Sequence, residues 1–181
     1  MLAEYKLVWG SNEHFKKIDQ IMEAISYNAI KSSSELAIEK GIYPTFEGSK
    51  WSEGIMPHDH APQSVNALVD KDLFDASYDW DSLRTKVKKD GMRNGYLMAV
   101  APTSSISILV GTTQAIEPVY KRKWFEENLS GLIPVVVPKL SPETWHYYTP
   151  AFEIDQLQVI KAAAIRQKWI DQGQSTNIFM S

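Results

Sequence analysis

The stretch RNGYLMAVAPTSSISILVGTTQAIEPVY, residues 93–120, decides how the rest of the chain is read. Residues 96–101 are apolar or aromatic throughout and stop at Pro102. A run that is apolar on both faces fits a buried parallel strand better than a half-exposed antiparallel one. Proline cannot donate to a ladder, so the strand should end there. Four hydroxyl residues, Thr103, Ser104, Ser105 and Ser107, fall within the next five positions. A second apolar run, Ile106 to Val110 broken only by Ser107, grows out of them and stops at Gly111. A buried strand that ends in a Ser/Thr turn and opens a helix makes an anion site. The first-turn N–H groups have no internal partners, and the helix dipole adds positive character. The hydroxyls can add hydrogen bonds to phosphate oxygens without adding charge. The competing reading is that Thr103 and Ser104 simply cap the helix. The stretch has neither the Gly-Lys-Ser/Thr core of a Walker loop nor a G-x-G-x-x-G dinucleotide fingerprint.

Composition bounds the class of protein. With 181 residues the chain has the length of a single domain, 1–181. A domain of that size buries roughly 70% of its unfolded surface. Hydrophobic residues make up 44% and charged residues 23%, as in a globular protein. No apolar run approaches the ~20 residues of a transmembrane helix. The start, MLAEYKLVWGSNEHFKK, lacks a basic segment followed by an apolar one. We therefore expect no membrane partner and a cytoplasmic location. A net charge of −3 with no basic block argues against a nucleic-acid partner. The absence of cysteine removes disulfides, thiolate metal sites and thiol catalysis from this chain.

Working outward, the pattern predicts further elements. Phe15, Ile18, Met22, Ile25, Ala29 and Leu36, widened by Ile21 and Ile30, recur at helical spacing over residues 13–40. Ser11 or Asn12 can cap this helix and Gly41 can stop it. Residues 41–66 are rich in glycine and proline and read as a long loop pinned by Tyr43, Phe46 and Trp51. Within it, His58-Asp59-His60 suggests either a metal site, for which no third ligand is legible, or a solvated turn. A short helix over 81–89 should be capped by Asp79 or Asp81, face Leu83 and Val87 inward and end at Gly91. Lys121, Arg122 and Lys123 read as a solvated face, with a phosphate contact as the other reading. Residues 132–138 are extended between prolines, and Ser141-Pro142-Glu143 starts a turn. Asp155 should cap a helix to about Gln172 that faces Leu157, Ile160, Ala164 and Trp169 inward and ends at Gly173. Residues 175–180 would form a strand.

Three segments together resemble the large, catalytic subunit of class I ribonucleotide reductase. The opening stretch is similar to that family's strand, phosphate loop and Gly…Ile-Glu-Pro segment. ISYNAIKSSSELAIEKGIYPTFEGSKW, residues 25–51, resembles its helix and Y-x-x-F-x-G-S-x-W turn. AAAIRQKWIDQGQSTNIFM, residues 162–180, resembles its W/F-I-D-Q-x-x-S-x-N segment near the end of the barrel.

The resemblance implies an α/β fold, part of a ten-stranded α/β barrel built of two half-barrels and incomplete alone. It implies radical reduction of ribonucleotides to deoxyribonucleotides, and places the substrate-phosphate loop on Pro102, Thr103, Ser104, Ser105 and Ile106, with Ser107 adjacent. No catalytic residue falls on this chain. The family's radical-bearing cysteine, its redox cysteine pair and the Asn and Glu near the radical site belong upstream of the matched part. Its paired relay tyrosines belong beyond the W-I-D-Q segment. Tyr147-Tyr148 precedes that segment, and with Trp145 it reads as surface or packing aromatics. We therefore expect a piece of a catalytic subunit, natural or interrupted. It would need no cofactor of its own, with the thiyl radical and metal cofactor on partner chains. The implied partners are the remaining fragments of the large subunit, the small subunit and a ribonucleoside diphosphate. Two other readings stay open: a non-catalytic scaffold or interaction fragment, and an unrelated α/β phosphate-binding protein.

Overall fold

The Ser11 hydroxyl accepts the N–H of His14 at 3.1 Å and opens α1, Asn12–Lys40. Gly41 closes it as expected, at φ +84 with its N–H on the Ala37 carbonyl at 2.9 Å. The computed structural model describes residues 2–61, 78–129 and 131–180. Residues 62–66 of the expected loop lie outside them. The described residues divide into two compact units: those within 16–100 and 164–174, and those within 1–15, 101–163 and 175–181.

In the first unit, the inner face of α1 is not the apolar stripe read from the sequence. Ile18 and Ile30 are buried, but Ile25 is half exposed, and Asp19, Glu23, Ser26, Ser33 and Ser34 are buried beside them. The polar residues go inward because partners meet several of them. Glu23 accepts the Trp80 indole N–H at 2.9 Å. The hydroxyl of Ser33 accepts the N–H of Asn94 at 3.0 Å, and its carbonyl accepts that of Arg93 at 3.0 Å. Satisfied polar groups can be buried at little cost.

Beyond α1 the chain winds through turns to a 3-10 helix, Pro57–His60. Phe46 and Trp51 are buried and Tyr43 packs partly against the core, so the three aromatics do pin the loop. Helix α2, Trp80–Asp90, is capped by Asp79, whose carboxylate accepts the N–H of Ser82 at 3.0 Å. Leu83 and Val87 face inward as predicted. Gly91 follows at φ +76, where a Cβ would stand 2.3 Å from Ile42, so only glycine fits without displacement. The core gathers Ile30, Phe46, Trp51, Met56, Leu83, Val87 and Met92 around Trp80 and Trp169. Those two indoles stack with centroids 5.6 Å apart.

The expected strand over 96–101 does not form. Val100 makes one isolated parallel bridge to Gln174, and Tyr96 is 77% exposed. The direction of pairing is the predicted one. A parallel strand, however, needs neighbours along its length, and the only pairing described here comes from residues 172–174.

The second unit contains α3, Ser104–Leu109, and an antiparallel hairpin of β1, Lys123–Asn128, with β2, Gly131–Val136. Phe125 pairs opposite Pro134. In the second apolar run Leu109 is 85% exposed and Ile106 and Val110 are also exposed, while Ser107 is buried.

Helix α4, Gln156–Gln167, begins on Asp155, which accepts the N–H of Leu157 at 2.9 Å. It ends five residues before the predicted point. Trp169 and Ile170 bond back to the third residue before each, a tighter turn that carries Trp169 into the core. Gly173 therefore lies in the bridge region rather than at the helix end. Leu157 and Ile160 are exposed, while Val159, Ala162, Ile165 and Arg166 are buried. The inner face is rotated from the one predicted. Residues 175–180 carry no ladder.

Ile30 is fully buried in the tryptophan-centred core and Leu109 is open to solvent. Ile30→Ala should cost about 2–5 kcal/mol of stability, whereas Leu109→Ala should stay within about 0.5 kcal/mol. Urea unfolding followed by tryptophan fluorescence measures both. Equal losses would mean that the core is wrongly located.

Candidate functional site

The hydroxyl cluster does start a helix. The Thr103 carbonyl accepts the N–H of Ser107 at 2.9 Å. Thr103 is therefore the cap, and the N–H groups of Ser104, Ser105 and Ile106 form a first turn to which a helix offers no partner. Pro102, Thr103 and Ile106 are exposed around this turn, and Ser107 is turned inward. The side chains of Ser104 and Ser105 lie outside the described residues. Two contacts tie the turn to the segment after α3. The Thr103 hydroxyl reaches the Gln114 carbonyl at 3.4 Å, and the Thr112 N–H reaches the Ser107 carbonyl at 2.9 Å.

Sequence reasoning gave no role to Glu117. Its signal was present, since it is the only charged residue between Arg93 and Lys121. It is 7% exposed. Its Oε1 accepts the backbone N–H of Asn177 at 2.6 Å, with the Asn177 amide at 3.4 Å. Its Oε2 is buried with no hydrogen-bond partner among the described residues. Glu117 lines a cavity of about 420 Å³ with Thr112, Gln114, Tyr120, Trp124 and Asn177.

Each residue of the W-I-D-Q segment has a structural task in the first unit. The Trp169 indole N–H donates to Asp19 Oδ1 at 2.7 Å. Ile170 is buried. Asp171 accepts the N–H of Leu97 at 2.9 Å and of Met98 at 2.7 Å. The Gln172 N–H bonds the Met98 carbonyl at 3.0 Å, and the Val100 N–H bonds the Gly173 carbonyl at 3.1 Å. Lys168 Nζ lies 2.8 Å from Asp19 Oδ1, with Asp19 1% exposed. Burial pushes the Asp19 carboxyl above its ordinary range, and the Lys168 ammonium and Trp169 indole pull it back only in part. A cleft of about 900 Å³ in the same unit is lined by Trp51, His60, Lys168 and Asp171 among others.

His58-Asp59-His60 is not extended, and Asp59 and His60 are exposed as in a solvated turn. It forms the 3-10 helix. His58 packs against Trp80 at 4.4 Å and Trp169 at 5.3 Å, and burial lowers its basicity. Asp59 accepts the Met56 N–H at 2.7 Å and pairs with Arg84 at 2.6 Å, which holds its carboxyl below the usual range. Among the described residues no group of three or more His, Asp or Glu side chains is placed to hold a metal ion. Lys121 and Lys123 are exposed, in keeping with a solvated face. Arg122 instead stacks 4.8 Å over the Trp145 ring and bonds its carbonyl at 3.0 Å. The Tyr148 hydroxyl donates to the Pro138 carbonyl at 2.7 Å, a packing role. No helix among the described residues is long and apolar enough to cross a membrane.

An α/β chain with a serine-rich turn and a W-I-D-Q segment that holds backbone N–H groups fits the class of protein suggested by the sequence. The profile of the family "Ribonucleotide reductase, barrel domain" matches residues 1–181, and the chain belongs to that family. It is 65% identical over 180 residues to the ribonucleoside-diphosphate reductase subunit alpha of Helicobacter pylori (strain ATCC 700392 / 26695), covering 99% of this chain and 23% of that protein. It is 41% identical over 181 residues to the subunit alpha of Treponema pallidum (strain Nichols), covering 100% and 20%. It is 31% identical over 193 residues to the large subunit of Danio rerio, covering 90% and 23%. The chain thus spans about a quarter or less of the length of these relatives.

The buried Asp19–Lys168 pair yields a pH prediction. A carboxyl raised in the folded state adds stability below the ordinary carboxylate range, and that stability is lost as pH rises through the elevated value. Asp19→Asn should abolish this decline in chemical denaturation run from acid to neutral pH. At neutral pH Lys168→Met leaves Asp19 buried without its cation and should cost about 3–5 kcal/mol. A Lys168→Met protein as stable as the parent, or a pH profile untouched by Asp19→Asn, would rule this account out.

Proposed function

We propose that this chain supplies the substrate-phosphate loop of a ribonucleoside-diphosphate reductase and works assembled with the remaining parts of the large subunit and with the small subunit. The observation that carries the reading is 65% identity over 180 residues to a ribonucleoside-diphosphate reductase subunit alpha. In the assembly, residues 1–181 form one part of a ten-stranded barrel. The substrate is a ribonucleoside diphosphate, the product a deoxyribonucleotide for DNA replication, and the compartment the cytoplasm.

The loop runs over Pro102, Thr103, Ser104, Ser105 and Ile106, with Ser107 beside it. Pro102 stiffens the approach. The first-turn N–H groups of Ser104, Ser105 and Ile106 donate to phosphate oxygens, and hydroxyls of the turn add donors without charge. Such contacts orient the ribose toward the radical site on the partner chain. There a thiyl radical and a metal cofactor held by partner chains would supply the hydrogen-abstraction chemistry. The role of this chain is binding and orientation.

The absence of cysteine makes one outcome plain. The purified chain by itself should turn over no ribonucleotide, because it holds no thiol to abstract hydrogen or deliver electrons. Turnover by the isolated chain would sink the proposal.

The loop itself is tested by Ser105→Asp. A carboxylate at a helix N-terminus does not harm folding, but it repels a diphosphate. Losing one charge-assisted hydrogen bond costs about 1.5–3 kcal/mol, more than tenfold in affinity, and repulsion adds to it. The readout is nucleoside diphosphate affinity of the assembled enzyme, with thermal stability as control. Unchanged affinity in a folded variant would reduce the hydroxyls to helix caps.

A further inference from the structure

We infer that Glu117 is a positioning residue that holds the Thr103–Ser107 turn in place from behind. Its role in binding substrate rests on the phosphate-loop reading above, but its effect on the turn does not. Three linked contacts carry the inference. Glu117 Oε1 accepts the Asn177 backbone N–H at 2.6 Å, which fastens the segment after α3 to residues near the end of the chain. That segment holds the turn at two points: the Gln114 carbonyl accepts the Thr103 hydroxyl at 3.4 Å, and the Thr112 N–H bonds the Ser107 carbonyl at 2.9 Å. The carboxylate is 7% exposed, and its second oxygen has no partner among the described residues.

This arrangement suits a strut. A short bond from a backbone N–H to a carboxylate is among the strong ones, and it is the bond that holds Oε1. The partner is a main-chain group, so its position is fixed by the backbone and not by a rotamer. Pro118 follows directly and restricts Glu117 to extended conformations. An apolar residue at 117 would fill the space but leave the Asn177 N–H unpaired. A surface role would not need burial, and a substrate contact would not need a main-chain partner.

The test uses hydrogen exchange on the full chain, read at the amides of Ser107, Val110 and Thr112, with Gly41 and Gly91 of the other unit as controls. Glu117→Ala should speed exchange at the first three by about tenfold or more and leave the controls unchanged. Glu117→Gln keeps an oxygen for Asn177 and should stay close to the parent. Glu117→Asp keeps the charge but draws the oxygen back, so it should resemble Ala; it also serves where Glu117→Ala does not fold. Unchanged exchange at 107–112 in both Ala and Asp variants overturns the inference, as does Gln behaving like Ala or equal acceleration at Gly41 and Gly91. In the assembled reductase, Glu117→Ala should weaken nucleoside diphosphate binding and spare the unphosphorylated nucleoside. Faster exchange with unaltered diphosphate affinity would keep Glu117 as the strut and refute the phosphate-loop reading instead.

Discussion

The Trp169 indole donating to a buried Asp19 is the contact on which the first unit depends. One carboxylate oxygen takes the indole N–H at 2.7 Å and the Lys168 ammonium at 2.8 Å. The bond joins α1 to the segment after α4 across 150 positions of sequence. It also sets the depth of Trp169, which stacks on Trp80, which in turn donates to Glu23 one turn further along α1. Two acidic residues of a single helix thus orient the two large rings at the centre of the core. Hydrophobic burial supplies the driving force, but the two indole N–H bonds decide where the rings sit. Burying the rings without those acceptors would leave two donors unpaired.

That arrangement explains which parts of the fold were legible in the sequence. Local signals read well. Ser11, Asp79, Asp155, Gly41 and Gly91 mark helix ends by chemistry that acts within a few residues, and each stands where the sequence put it. The inner faces of α1 and α4 read poorly. An apolar-stripe argument assumes that polar residues face water, and it fails once Asp19, Glu23 and Ser33 have partners that lie far away in sequence. Leu157 and Ile160 were assigned inward for the same reason, and they lie on a face left open. The end of α4 was missed because the tight turn at Trp169 and Ile170 is imposed by the core and not by any breaker residue.

The candidate site was legible in part. A cluster of hydroxyls after Pro102 announced a helix start, and Thr103 stands just before α3 with its carbonyl on the Ser107 N–H. The chain's membership in the ribonucleotide reductase barrel family was legible because three separated segments carried it together. Glu117 was not, although it stood alone as a charge in a long uncharged run. Nothing local says what a lone acid is for, and its partner Asn177 lies 60 residues on.

Asp171 and Glu117 then appear as two uses of one device. Residues 96–101 are apolar enough for a buried strand, yet only one bridge forms, so their N–H groups need acceptors from elsewhere. Asp171 accepts those of Leu97 and Met98. In the other unit residues 175–180 are equally without a ladder. There Glu117 accepts the N–H of Asn177, and Gln156 accepts that of Phe179 at 2.8 Å. In both segments side-chain oxygens take the acceptor role that carbonyls play in a ladder. A carboxylate suits this because it accepts more than one bond and binds N–H groups more strongly than a carbonyl does. A segment held this way has these donors satisfied and its direction fixed without a ladder. Holding the backbone through these few bonds restrains it against the conformational entropy that a segment without a ladder would otherwise keep.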